Sequence, residues 1–241
     1  MFDNVKNVIF DLDNTLYDFS NIWLKSNEDS FYELGYDKLT DYNTFFEIYK
    51  KNNHLILERI KKGEIRLREL RTRRIIESLK EFGYSMTGEE SLRYYKKQFE
   101  LMEKEMFPND RLIKKIKELK QSYKIILLTN GKSKEQRKKI SKLGFDELFS
   151  VYISEETWFD KPHQAAFFNV LENEKILASE TLMIGDSLFH DIEPAERLGF
   201  QTCLVDRKWH FDEISKSINY SGCKVQDVEE IIDILLKNKA K

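Results

Sequence analysis

Asp11 and Asp13 stand one residue apart, directly after the apolar run Val8-Ile9-Phe10. That run reads as the end of a buried strand. Side chains on an extended chain repeat every two residues, so both carboxylates share one face of the strand end. Two like charges placed there repel. A chain tolerates them when a cation sits near, or when one carboxyl holds a proton. The plain alternative is a surface turn, where Asp and Asn are common. It is disfavoured because the pair is joined to an apolar strand and followed by Thr15 and Leu16.

Other residues with chemistry also follow short apolar runs. Thr129, Asn130 and Gly131 come after Ile125 to Leu128. Lys161-Pro162 follows a weaker strand pattern at 148–153. Asp186 and then Asp191 follow Thr181-Leu-Met-Ile. In a parallel sheet the site lies beyond the carboxyl ends of the strands, which would gather all these groups at one edge. Carboxylates are hard oxygen ligands of the kind magnesium prefers. A lysine and a hydroxyl near them can hold the oxygens of a phosphoryl group. One carboxylate can attack phosphorus. A second can donate a proton to the leaving oxygen and later take one from water. Phosphoryl transfer is catalysed mainly by positioning and charge neutralisation. Monoester hydrolysis needs accelerations up to roughly 10²¹-fold, so a cluster is expected rather than a lone base.

The elements that must carry these groups alternate between strand and helix. Apolar runs at 8–10, 124–128, 148–153, 181–184 and 202–205 are separated by segments with helical spacing. One helix is expected at roughly 133–143, basic and amphipathic, and another from Pro194 to Leu198. The fold class is α/β, a doubly wound parallel sheet with an inserted α-helical cap. Residues 1–18 and 106–241 form the expected core, and 19–105 the helical insert. Within the insert Gly35, Gly63 and Gly83 mark breaks, and Thr40 or Asp41 can cap a helix. Asn109 or Asp110 caps the first helix after Pro108.

Composition excludes several classes. The chain has 241 residues, 41% hydrophobic and 34% charged, with a net charge of −2. That balance gives no electrostatic case for a nucleic-acid or membrane partner. No segment reads as a signal peptide or membrane helix, and Cys203 and Cys223 lack the spacing of a disulfide framework or zinc site. A cytoplasmic protein with free thiols is expected. The run Arg66, Arg68, Arg71, Arg73, Arg74 is interleaved with Glu64 and Glu69, so it reads as a solvated helix face. His190 reads as a partly exposed loop histidine, since imidazole is a poor partner for magnesium. Cys203 reads as core, and Phe19 and Trp23 as packing rather than base-stacking residues.

At Asp11-Leu-Asp13-Asn-Thr15, Leu128-Thr129-Asn130-Gly131, Lys161-Pro162 and Gly185-Asp186-Ser187 with Asp191, the chain resembles the haloacid dehalogenase superfamily. The motifs occur in the family order. The resemblance implies a Rossmann-like core in which Asp11 is the nucleophile and Asp13 the general acid and base. It implies that Thr129, Asn130 and Lys161 bind phosphate. Magnesium would be held by Asp11, Asp186 and the backbone carbonyl of Asp13. Asp191 would support as a water-mediated ligand or a partner of Lys161. The family's dehalogenases lack the second aspartate, so Asp13 favours phosphate ester hydrolysis. Trp158 stands where a glycine is usual, and His163-Gln164 where many relatives carry Asp-Pro.

The cap run Tyr49 to His54, then Lys62-Gly63-Glu64-Ile65, Leu70-Arg71 and Arg74, resembles bacterial pyrimidine 5′-nucleotidases. That similarity implies a nucleotide phosphate monoester as substrate, met by Asn53 and Arg71, and a cap that opens and closes. The alternatives are a sugar-phosphate phosphatase or phosphomutase of the same fold, a 2-haloacid dehalogenase, and a catalytically silent binding or regulatory module. A monomer or homodimer is expected.

Overall fold

The computed structural model describes residues 2–66, 69–207 and 220–239. It divides into two compact units, Met1–Ser20 with Met106–Lys241 and Asn21–Glu105.

The first unit is built on a parallel sheet. Its strands are β1 (Asn7–Phe10), β2 (Lys124–Thr129), β3 (Ser150–Ile153), β4 (Thr181–Gly185), β5 (Gln201–Val205) and β6 (Cys223–Val225). They lie in the order β3-β2-β1-β4-β5-β6, the doubly wound parallel arrangement that the strand–helix alternation implies. β1 is central and every residue in it is buried, which explains the apolar run Val8-Ile9-Phe10. Phe10 pairs with Leu127 on one side and Ile184 on the other, so β1, β2 and β4 reach the carboxyl edge in near register. The direction of winding reverses beside β1, the point where such sheets hold ligands. β6 is a strand that the sequence does not announce. It has three residues with the exposed Lys224 at its centre, too short to make an apolar run.

Ile9, Ile126, Leu128 and Met183 pack against Phe167 and Val170 of α8 (Gln164–Glu174), Ala195 of α9 (Glu193–Arg197), and Phe200. Burying each of the larger side chains among these stabilises by about 1.5–3 kcal/mol. α5 (Asp110–Leu119) packs on α10 (Val228–Lys239), and Asn109 caps α5 by accepting from Leu112 N at 3.1 Å. The unit also contains α6 (Ser133–Lys142) and the short α7 (Ser154–Thr157). Cys203 is buried, and Cys203 and Cys223 are free thiols facing each other across β5 and β6.

The second unit is helical. α1 (Phe19–Glu33), whose first two residues count with the first unit, is followed by α2 (Tyr42–Lys61), α3 (Leu70–Lys80) and α4 (Gly88–Glu105). Asp41 caps α2, accepting from Thr44 N at 3.0 Å. The breaks fall near Gly35, Gly63 and Gly83, all in the left-handed region. An aromatic core of Phe31, Tyr42, Phe45, Tyr49 and Tyr94 fills the unit. The arginine run departs from a solvated face at one position. Arg66 and Arg71 are exposed and Arg73 pairs with Glu69, but Arg74 is buried; Arg68 lies outside the described residues. Helical spacing turns Arg74 inward beside Ile75 and Ser78. Among the described residues no helix is long and apolar enough to cross a membrane.

Candidate active site

Lys161 Nζ lies 2.7 Å from Asp11 Oδ1 and 2.6 Å from Asp191 Oδ1, and all three residues are buried. Each reaches that point from a different strand end. Asp11 follows β1, and its N–H donates to Ile184 O at 2.9 Å, extending the β1–β4 pairing. Thr15 Oγ1 donates to Asp11 Oδ2 at 3.2 Å. Asp186 follows β4 directly. Asp191 arrives on a single π-helical turn, Leu188–Ile192, a geometry frequent at functional sites. Ser187 N donates to Asp191 Oδ2 at 3.1 Å and fixes its rotamer.

One oxygen of each of Asp11, Asp186 and Asp191 lies within 4.8 Å of the others. Three carboxylates around a single ammonium leave the cluster short of positive charge. Burial pushes the Asp11 carboxyl up to about 7, with Lys161 opposing the rise and Asp191 adding to it. Burial, then the charges of Asp11 and Asp191, hold the Asp186 carboxyl well above the ordinary carboxylate range. Burial works against the Lys161 charge, but Asp11 and Asp191 outweigh it and keep the ammonium protonated beyond the usual lysine range. Hard oxygens in charge deficit are the donor set magnesium takes, so these residues fit that ion.

Thr129 ends β2, and its Oγ1 accepts from Gln136 Nε2 at 2.6 Å. The Asn130 side chain ties the Lys161 loop to the end of β2. Its Nδ2 donates to Lys161 O and its Oδ1 accepts from Lys161 N, both at 2.8 Å. Both ends of the amide are thus engaged, and its hold on the site runs through the Lys161 backbone. Gly131 leaves room for Gln136, since a Cβ there would come 3.1 Å from Gln136 Cγ.

Asp13 is half-buried and faces α6. Lys139 Nζ donates to its Oδ1 at 2.8 Å and its Oδ2 at 2.7 Å. Tyr17 donates to Oδ1 at 2.5 Å, and Gln136 Nε2 reaches Oδ2 at 3.4 Å. Sequence reading missed Tyr17, Gln136 and Lys139 as site residues. A signal existed: Gln136 and Lys139 share helical spacing with the buried Ile140 and Leu143, so they are polar groups on an apolar face.

The loop carrying Lys161 absorbs its unusual residues locally. Trp158 adopts φ 68, the left-handed conformation that favours glycine, with its side chain 88% exposed. His163 caps α8, its Nδ1 accepting from Ala165 N at 3.1 Å, and its ring stacks on Phe159. His190 is exposed and bonds Ser187.

The two residues proposed to meet substrate lie in the helical unit. Asn53 is buried and its Oδ1 accepts from Arg74 Nη1 at 2.8 Å. The Arg74 guanidinium stands 4.7 Å from the Tyr49 ring and 5.5 Å from the Trp23 ring. Arg71 is exposed, and its carbonyl accepts from Tyr95.

Residues 8–205 match the family model described as haloacid dehalogenase-like hydrolase. The chain belongs to that family. It is 28% identical over 233 residues to the HAD-hydrolase YfnB of Bacillus subtilis, covering 95% of this chain and 96% of YfnB. The crystal structure of magnesium-bound YfnB, which reveals interdomain movement, superposes with a TM-score of 0.78 at 27% identity, covering 96% of this chain and 98% of that one. A ribulose-1,5-bisphosphate 5-phosphatase of Halopiger xanaduensis is 28% identical over 224 residues, 83% of this chain and 84% of that protein. A glyceraldehyde 3-phosphate phosphatase of Methanocaldococcus jannaschii is 32% identical over 136 residues, 56% of this chain and 58% of that one.

Proposed function

We propose that this haloacid dehalogenase-like hydrolase is a magnesium-dependent phosphomonoesterase working through an aspartyl-phosphate. The observation that carries the reading is the buried Lys161 bonded to both Asp11 and Asp191, with Asp186 adjoining them. An Asp11 oxygen attacks phosphorus and forms the acyl phosphate, while the ester oxygen leaves with a proton from Asp13. Water then attacks the same phosphorus and gives its proton to Asp13. The bond to Asp11 breaks, releasing inorganic phosphate and restoring the carboxylate. Lys161 and the Thr129 hydroxyl hold the transferring oxygens. Asp11, Asp186 and the Asp13 carbonyl would hold magnesium, which supplies charge neutralisation on the phosphoryl oxygens when bound. Halide displacement from carbon has no alkoxide to protonate and no need of Asp13, which favours ester hydrolysis over dehalogenation.

For the substrate, the cap resemblance supports a pyrimidine nucleoside 5′-monophosphate, with Asn53 and Arg71 contacting it. A second reading is a small sugar phosphate, supported by relatives named for ribulose bisphosphate and glyceraldehyde 3-phosphate. The free thiols of Cys203 and Cys223 suit a cytoplasmic setting. The test is phosphate release, with magnesium and with chelator, from dUMP, dTMP, UMP, glyceraldehyde 3-phosphate, hexose phosphates and p-nitrophenyl phosphate. Magnesium-dependent turnover that Asp11→Asn abolishes supports the reading. Turnover of no monoester, or turnover undiminished in Asp11→Asn, overturns it.

A further inference from the structure

We propose that Lys139, with Gln136 beside it, is a positioning residue that presents Asp13 as proton acceptor to the water of the second half-reaction. The inference rests on the aspartyl-phosphate reading above.

α6 carries several exposed basic residues, Lys132 just before it and Lys134, Arg137 and Lys138 within it. Lys139 differs: its residue is only 4% exposed. Burying an ammonium has a desolvation cost that surface placement would avoid, so a buried ion pair is weak evidence of a stabilising role. What Lys139 gains is a grip on both oxygens of one carboxylate, at 2.8 and 2.7 Å. The Phe19 ring lies 4.4 Å from Nζ, screening that contact from one side. Those two contacts anchor the carboxylate on the ammonium, and Tyr17 on Oδ1 with Gln136 on Oδ2 sets its plane.

Gln136, one turn earlier on the same face, bonds Thr129 Oγ1 at 2.6 Å and reaches Asp13 Oδ2 at 3.4 Å. One rigid helix therefore holds the hydroxyl that binds phosphate and the carboxylate that moves the proton. Asp13 accepts from an ammonium, a phenol and an amide, so both of its oxygens are held in place by donors. The half-reaction that needs an acceptor is the second. There water forms a bond to phosphorus, the bond to Asp11 breaks with its electron pair returning to Asp11, and the water proton passes to Asp13. Without Lys139 the carboxylate keeps only the Tyr17 and Gln136 contacts, loses its anchoring charge, and shifts from the position that faces the water.

p-Nitrophenyl phosphate separates the two halves, because its phenolate leaves without needing a proton. With Lys139→Met the first half stays fast and the second slows. The expected record is a burst of p-nitrophenol approaching one per active site. It should be followed by a steady rate roughly 10- to 100-fold below that of the native chain, for which no burst is expected. Acid quench should trap phosphoenzyme in the variant. Lys139→Arg keeps the charge and donors and should recover part of the steady rate. Gln136→Met should show a smaller burst in the same direction, and it covers the case in which Lys139→Met fails to fold. An undiminished steady rate in folded Lys139→Met, or a loss with no burst and no trapped intermediate, overturns the proposal. A native chain that releases no p-nitrophenol and carries no label overturns the phosphatase reading, and this proposal with it.

Discussion

Asp191 occupies the space that a side chain at Gly185 would need. A Cβ built on Gly185 would lie 2.5 Å from Asp191 Cγ and Oδ2. The glycine that ends β4 is therefore what lets Asp191 reach Lys161 at 2.6 Å.

Gly185→Ala should displace Asp191 and leave Lys161 with a single carboxylate. The expected result is a kcat lower by roughly 10- to 100-fold, as for an ångström-scale misplacement. Overpacking there should cost about 1–3 kcal/mol of stability. Steady-state kinetics and a urea melt measure the two effects. An unchanged kcat would show that Asp191 does not position Lys161.

Lys161→Met removes the cation from between two buried carboxylates. The metal-free variant should lose about 3–5 kcal/mol, because the remaining carboxylates are buried without a counter-charge. Magnesium should recover part of the loss by replacing the missing charge. Thermal melts with and without the ion check this, and a variant as stable as the native chain without metal would contradict it.

Magnesium should stabilise the protein more as pH rises. Folding raises the Asp11 carboxyl from its ordinary 3.8 to about 7. Between those values the folded chain binds more protons than the unfolded one, so the contribution of this cluster is full below the lower value and lost as pH rises through the upper. Protons and magnesium compete for the same oxygens. The magnesium-induced rise in Tm should thus be small at pH 5.5 and larger at pH 8. A shift independent of pH would place the ion elsewhere.

Two arginines of one run should behave differently. Arg74 is buried, bonded to Asn53 and stacked on Tyr49, so Arg74→Met should destabilise by about 1–3 kcal/mol. Arg73 makes a partly exposed pair with Glu69, and Arg73→Met should stay within about 0.5 kcal/mol of the native chain. Denaturant melts of the two variants test the contrast.

Most of the site was legible because its chemistry is local in sequence. Asp11, Thr129 and Asp186 each lie at the end of a short apolar run, and parallel winding brings such ends together. What stayed hidden depends on helix faces and long-range pairing. Gln136 and Lys139 sit in a helix that reads as basic and amphipathic, and only their spacing with Ile140 places them on its inward face. The Asn130–Lys161 pairing joins residues 31 apart, and nothing local in either one announces it. β6 is too brief to show a period. Arg74 is lost in a basic run unless the helical phase is followed residue by residue.

The central claim is that Asp11 carries the phosphoryl group. Sodium borohydride reduces an acyl phosphate to the alcohol, so protein quenched during turnover with magnesium should yield homoserine at position 11 in peptide mass spectra. An unmodified Asp11 in protein that is turning substrate over, or reduction at a different carboxylate, would contradict it.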